Sequence, residues 1–242
     1  MDRLSPLVVH TLFDVLAWLT AGAVAVTVTR WRPHAFPPVA ARGQYYLPVL
    51  LISAAAGAYA LGTANLWLSG QSGVARSIEG ALLGGVIGVE LYKWFNGVSG
   101  RTGAKLAVPL AAGIAVGRIG CFLAGLDDFT YGAPTGVAWA VDFGDGITRH
   151  PVQLYESLAL AIFLLAYLVA LARKSSFVGA NGFSLMIGFY GIQRFGWEFL
   201  KPYGTLLGPL TLFHLTSTLL IAYAAALLCG SAHSVASGTA KI

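Results

Sequence analysis

Two arginines stand where arginine is expensive. Arg118 in GRIGCFLAG and Arg194 in YGIQRFGWEFLKPYG sit at the ends of apolar runs, and each offers a planar fork of N–H donors that matches a phosphate. Glu198 follows Arg194 by one helical turn, on the same face. The segment HPVQLYES gathers His150, Gln153, Tyr155 and Glu156 at the head of another apolar run, Cys121 follows Arg118 by one turn, and Glu79 opens a glycine-rich run. His10 and Asp14, four apart, repeat the pattern near the start of the chain. Arginines of this kind can clamp an anion such as a phospholipid headgroup, and carboxylates and imidazoles beside them can move a proton.

Each group also has a structural reading. Arg118 can snorkel to headgroups, although Gly117 and Gly120 beside it leave room for a ligand or another backbone. Arg194 with Glu198 can be an intrahelical pair worth about 0.3–0.5 kcal/mol when exposed. Pro151 is explained by a helix start, with His150 outside it, while Gln153, Tyr155 and Glu156 fit a buried hydrogen-bond network as well as a site. His10 with Asp14 is read as an interhelical contact in preference to a base and its orienting carboxylate. Asp127 and Asp128 are expected to solvate a loop. No ligand spacing suggests a metal, and Cys121 and Cys229, far apart and in or near expected spans, form neither a disulfide framework nor a metal motif. Gly80, Gly84, Gly85 and Gly88 fit close helix packing.

The elements that must carry these residues are membrane helices. Of 242 residues, 57% are hydrophobic and 10% charged, with mean hydropathy +0.72, against about 25% charged in soluble domains. Apolar runs near the ~20 residues that span a ~30 Å hydrocarbon layer recur throughout. The expected fold is an all-α polytopic membrane protein forming a single transmembrane domain over 1–242. Seven helices are expected at 6–29, 45–68, 78–95, 104–124, 151–172, 182–200 and 205–229, the third and sixth being the shortest and bearing charges at their ends. The link 125–149 is an external loop in which Val137, Trp139, Val141 and Phe143 alternate before Gly144-Asp145-Gly146, so a short hairpin is expected. Asp2 and Arg3 lack the form of a cleaved leader.

The net charge of +5 is scattered among links, with no basic face for nucleic acid. It reports topology instead. Arg30, Arg32, Arg42, Lys93, Arg101, Lys105, Arg173, Lys174 and Lys241 fall on one side, and Arg3, Arg76, Arg149 and Lys201 on the other; nine against four puts the N-terminus outside and the C-terminus in the cytoplasm. Glu79, Arg118, Cys121, His150, Gln153, Glu156, Arg194, Glu198, His10, Asp14 and His214 then share the outer depth. A charge deep in the bilayer costs about 2.5–3.5 kcal/mol on insertion scales, so the clustering points to one polar cavity open to the outer leaflet.

GRIGCFLAG, HPVQLYES and YGIQRFGWEFLKPYG, in this order and with EGALLGGVIG before them, resemble the prolipoprotein diacylglyceryl transferase family over the third to seventh spans. The resemblance implies a multi-pass bacterial inner-membrane enzyme that moves the diacylglyceryl group of phosphatidylglycerol to the thiol of a lipobox cysteine in a preprolipoprotein, with no metal or organic cofactor. It places Arg118, Arg194 and Glu198 in the essential phospholipid site. Cys121 stands where the family has Asn, and Leu83 where it has a histidine before a Gly-Gly pair, with Glu79 one turn earlier as the nearest ionisable group. The expected catalytic residues are therefore Arg118, Arg194, Glu198 and Glu79, with His150, Gln153, Tyr155, Glu156, Asp14 and Cys121 binding substrate. A lipid-binding paralogue without turnover, or one with another acceptor, is the alternative.

Overall fold

A computed structural model describes residues 5–37 and 43–236, the side chains of 231–236 excepted. Arg3, Arg42 and Lys241 of the charge tally lie outside the described residues, as does Asp2.

Seven α-helices run up and down through the described residues: α1 Pro6–Trp31, α2 Tyr46–Leu68, α3 Ile78–Phe95, α4 Ala107–Ala124, α5 Val152–Ala172, α6 Ser176–Glu198 and α7 Leu212–Ala236. Five stretches are long and apolar enough to cross a membrane: Pro6–Trp31, Tyr46–Leu68, Ala104–Asp128, Val152–Ala172 and Leu212–Gly230. α3 carries Glu79, Glu90 and Lys93, and α6 is broken up by Gly, Ser, Asn and Gln besides Arg194 and Glu198, which is why these two fall short. Large apolar side chains face outward, Leu7 at 75% and Trp18 at 74% exposure on α1 alone. Such a surface suits lipid and not water.

Two boundaries differ from the sequence expectation. α6 begins at Ser176 and not at Gly182, because Lys174 turns the chain at φ +60° and the Ser175 hydroxyl accepts the Val178 N–H as N-cap. α7 begins at Leu212 and not at Thr205. Strands β3 (Thr205–Leu207) and β4 (Leu210–Thr211) pair antiparallel across Gly208-Pro209 and occupy the missing turns, with Gly208 at φ +55°. The hairpin expected in the 125–149 loop is present as β1 (Val141–Asp142) against β2 (Thr148–Arg149). Asp142 Oδ1 accepts the N–H groups of Gly144, Asp145 and Gly146, and Arg149 grips Asp145 with both terminal nitrogens at 2.8 and 2.7 Å, holding that carboxyl down to about 2.

α2 packs on α3, α1 on α4, α4 on α5 and α6 on α7. The glycines of α3 do what their spacing suggests: a Cβ on Gly84 would run into the Ser53 carbonyl and Gly57 of α2. On α4, a Cβ on Gly120 would collide with Phe13 of α1, so Gly120 serves helix approach. The core between the helices is built from Val108, Leu160, Met186, Ile187, Tyr190 and Leu220, each at most 1% exposed. At one end of the bundle, where α1, α3, α5 and α7 begin and α2, α4 and α6 end, the core turns polar.

Candidate active site

Three cations and three carboxylates meet at this end. Arg194, from the last turn of α6, places Nη2 2.8 Å from Glu198 Oε2 one turn on, Nη1 2.8 Å from Glu156 Oε1 of α5, and Nε 3.2 Å from Glu79 Oε2 of α3. Arg118 Nε, from the last turns of α4, contacts Glu156 Oε2. Lys201 Nζ, just beyond α6, is 2.8 Å from Glu156 Oε1. All six side chains are at most 7% exposed. A lone buried charge would cost several kcal/mol, and an equal number of both signs in contact offsets that cost. The exposed intrahelical pair entertained for Arg194 and Glu198 is excluded by this burial, and so is snorkelling by Arg118, which is 6% exposed.

Hydroxyls and an aromatic ring fix the rest. Glu79 is capped into the first turn of α3 by Ser77 and accepts hydrogen bonds at 2.6 Å from both Thr216 and Ser217 of α7. Thr211 donates to Glu198 Oε1 at 2.7 Å, and its backbone N–H donates to His214 Nδ1 at 3.0 Å, so the imidazole proton lies on Nε2. Phe213 presents its ring 4.9 Å from the Arg194 guanidinium. Gln153, one turn before Glu156 and fully buried, has no hydrogen-bond partner for either amide atom among the described residues. The Tyr190 hydroxyl and His214 Nε2 also lack one. Unpaired buried polar groups are rare in folded proteins, so these atoms are free to meet water or a polar ligand.

The other expected residues lie around this centre. His150 Nδ1 is 3.2 Å from the Tyr155 hydroxyl, which accepts from Trp139 Nε1 at 2.7 Å, and Tyr155 tilts against Trp197 at 5.3 Å; this aromatic group borders the charged network without joining it. Asp14 pairs with Arg76 at 3.3 Å on the exposed rim. His10 does not contact Asp14: its Nε2 is 2.8 Å from Asp128 Oδ1, so Asp128 is drawn inward while Asp127 stays exposed as a loop residue should. Cys121 Sγ lies 3.8 Å from Arg118 Nη1 and close to both His10 and Asp128.

Lys201 was counted in the sequence only as a loop charge, yet it is fully enclosed, and burial pushes its ammonium down to about 8. The signal available was its spacing, one turn after Glu198 and two after Arg194.

A family model described as prolipoprotein diacylglyceryl transferase matches residues 37–229. Proteins named phosphatidylglycerol--prolipoprotein diacylglyceryl transferase are similar to the chain: one from Geobacter sulfurreducens is 34% identical over 145 residues, 55% of this chain and 54% of that protein. One from Bordetella parapertussis is 34% identical over 149 residues (60% and 53%), and one from Cupriavidus metallidurans 36% over 140 (54% and 50%). The matches thus span about half the length of these relatives. No solved structure matches. With the family model covering most of its length and both motif arginines drawn into one buried centre, this chain belongs to the prolipoprotein diacylglyceryl transferase family.

Proposed function

We propose that the chain transfers the diacylglyceryl group of phosphatidylglycerol to the thiol of a lipobox cysteine in a lipoprotein precursor, in a bacterial inner membrane that it crosses seven times with the charged centre toward the outer leaflet. The observation that carries this reading is the cluster of Arg118, Arg194 and Lys201 around Glu156, inside a helical bundle whose surface suits lipid. The acceptor, once its thiol proton has gone to water, attacks the glyceryl carbon as the thiolate, the carbon–oxygen bond to phosphate breaks, and the electron pair leaves on glycerol phosphate. Charge grows on the departing phosphate, and donors already aimed at it stabilise the transition state without reorganising. Arg118 and Lys201 hold the phosphate, with Arg194 held in place by Glu198 and Glu79.

Glu79 enters as the carboxylate that fixes Arg194. Its oxygens already accept from Thr216, Ser217 and Arg194 at 1% exposure, which leaves little for a substrate proton. The unpaired amide of Gln153 suits the hydroxyls of the glycerol headgroup. His150 and Tyr155, with Asp14 at the rim, border the side from which a peptide would come.

Purified protein with labelled phosphatidylglycerol and a lipobox peptide should yield the thioether-linked lipid, with Arg118→Ala lowering transfer by about 100-fold or more, the scale of losing one transition-state donor. Lipid binding with no thiol peptide modified would instead establish the non-catalytic reading, which Leu83 at the family's histidine position favours.

A further inference from the structure

We propose that His10, Cys121 and Asp128 form a divalent transition-metal site, best suited to zinc, with a fourth position open to the acceptor thiol. His10 comes from the second turn of α1, Cys121 from the last turn of α4, and Asp128 from the 3-10 turn that follows α4. One nitrogen, one sulfur and one oxygen donor, all within 4.8 Å of one another, make a mixed set typical of zinc. Tetrahedral zinc holds N, O and S ligands about 3.3–3.5 Å apart. The His10 Nε2 to Asp128 Oδ1 contact at 2.8 Å must open by about half an ångström and the sulfur must close, both within side-chain adjustment.

The surroundings support a ligand set. The Thr130 hydroxyl donates to the second oxygen of Asp128 and leaves Oδ1 toward His10, an outer contact of the kind that orients metal ligands. The packing of Phe13 into the notch at Gly120 brings α1 close enough for His10 to reach Cys121. The site is partly open, the His10 and Asp128 side chains being 24% and 13% exposed, so an ion and a peptide thiol have access. Two anionic ligands neutralise a divalent ion. A bound thiolate then adds one negative charge next to Arg118, whose Nη1 is 3.8 Å from Cys121 Sγ.

This inference rests on the transferase reading and supplies what that reading lacks, a means of making the nucleophile without the family's histidine. A thiol that coordinates zinc loses its proton outright, here to water at the open face. The thiolate attacks the glyceryl carbon, the carbon–oxygen bond breaks with its electron pair going to the phosphate beside Arg118, and the neutral thioether, a weak ligand, leaves the metal.

The test uses the full chain in lipid nanodiscs, stripped by chelator and titrated with cobalt(II) alone. Stoichiometric uptake with the d–d absorption of a four-coordinate site and a sulfur-to-cobalt charge-transfer band is expected. That band should vanish in Cys121→Ser and persist in Cys229→Ser, with Thr130→Val weakening affinity by about 10–100-fold. Adding a lipobox peptide should strengthen the charge-transfer band, and its serine analogue should not. No stoichiometric uptake, or a band that survives Cys121→Ser, overturns the site, and a spectrum blind to the peptide thiol overturns its role in activation. Transfer that resists chelator and Cys121→Ser leaves the transferase reading standing without the metal. Metal uptake with no transfer to any thiol does the reverse.

Discussion

Replacing Glu156 by glutamine should make the protein less stable and yet better at holding an anionic lipid, two effects of opposite use to the cell. Glu156 is the one carboxylate in contact with all three cations: Oε1 faces Arg194 and Lys201 at 2.8 Å each, and Oε2 faces Arg118. Glutamine keeps the shape and removes the charge, which leaves Arg118, Arg194 and Lys201 against Glu79 and Glu198, a buried excess of one positive charge. Breaking a buried ion pair costs about 3–5 kcal/mol. For a domain of this size that is a drop of about 6–20 °C in apparent Tm, measurable by thermal shift in detergent. A phosphodiester entering the wild-type cluster has to compete with Glu156 for those donors, whereas in Glu156→Gln it meets them unpaired. Each charge-assisted bond is worth about 1.5–3 kcal/mol, so affinity for phosphatidylglycerol over phosphatidylcholine should rise by about 10–100-fold, read by competitive lipid binding. Transfer should nonetheless fall, since product glycerol phosphate is retained. Loss of stability with no gain in anionic-lipid preference would refute the idea that these cations face a phosphate.

Lys201 gives a pH signature. Burial first, and the neighbouring Arg194 next, hold its ammonium at about 8 against 10.5 unperturbed, with Glu156 opposing. Between these values the unfolded chain binds the extra proton, so stability rises with pH across that window while anion affinity falls above pH of about 8. In Lys201→Arg the fall in affinity should disappear from the binding curve. Gly120→Leu has to displace Phe13, and overpacking of this kind costs about 1–3 kcal/mol; thermal shift should record it, and cobalt uptake by the site at His10 should be lost with it. Asp14→Asn removes only an exposed pair with Arg76 and should lower the unfolding free energy by no more than the roughly 0–1 kcal/mol that such pairs are worth, read by thermal shift.

How much of this was legible in the chain depends on whether the information was local. Helix number and the beginnings of α1, α2 and α3 followed from apolar run lengths, and the structure adds Ser5 and Ser77 as the caps of α1 and α3. The ends that were misplaced, at Ser176 and Leu212, depend on a left-handed Lys174 and on a hairpin across Gly208-Pro209; both sit inside apolar sequence that reads as continuous helix. Clustering was legible too, because charges among apolar helices are confined to where they are paired, and Glu79, Arg118, Glu156, Arg194 and Glu198 meet at one end of the bundle. Partnership was not legible. Nothing in HPVQLYES distinguishes Glu156, which joins the network, from His150, which instead meets the Tyr155 hydroxyl outside it. Helical spacing of four tied His10 to Asp14, yet in space the stronger neighbour is Asp128, more than a hundred positions on, because Gly120 lets α1 settle against the end of α4.

The departures from the family's motifs bear on one another. Leu83 removes an imidazole from the face of α3, and Cys121 puts a thiol where the family has an amide, next to Arg118 and within reach of His10 and Asp128. An isolated loss of a proton acceptor would leave an inactive lipid binder, and an isolated Asn-to-Cys change would be a neutral packing variant. Under the proposed function and the proposed metal site, the two together would move the means of activating a thiol from α3 to the junction of α1 and α4, with Arg118, Arg194 and Lys201 kept as the phosphate-facing cations. A reciprocal exchange separates these alternatives. Cys121→Asn with Leu83→His restores the family's pair, and if the two centres are interchangeable solutions the double variant should recover transfer that Cys121→Asn alone has lost. It should also become indifferent to chelator, because an imidazole on α3 needs no metal to accept a proton. Recovery that still requires metal, or a Cys121→Asn variant with undiminished transfer, would show that the two substitutions are unrelated.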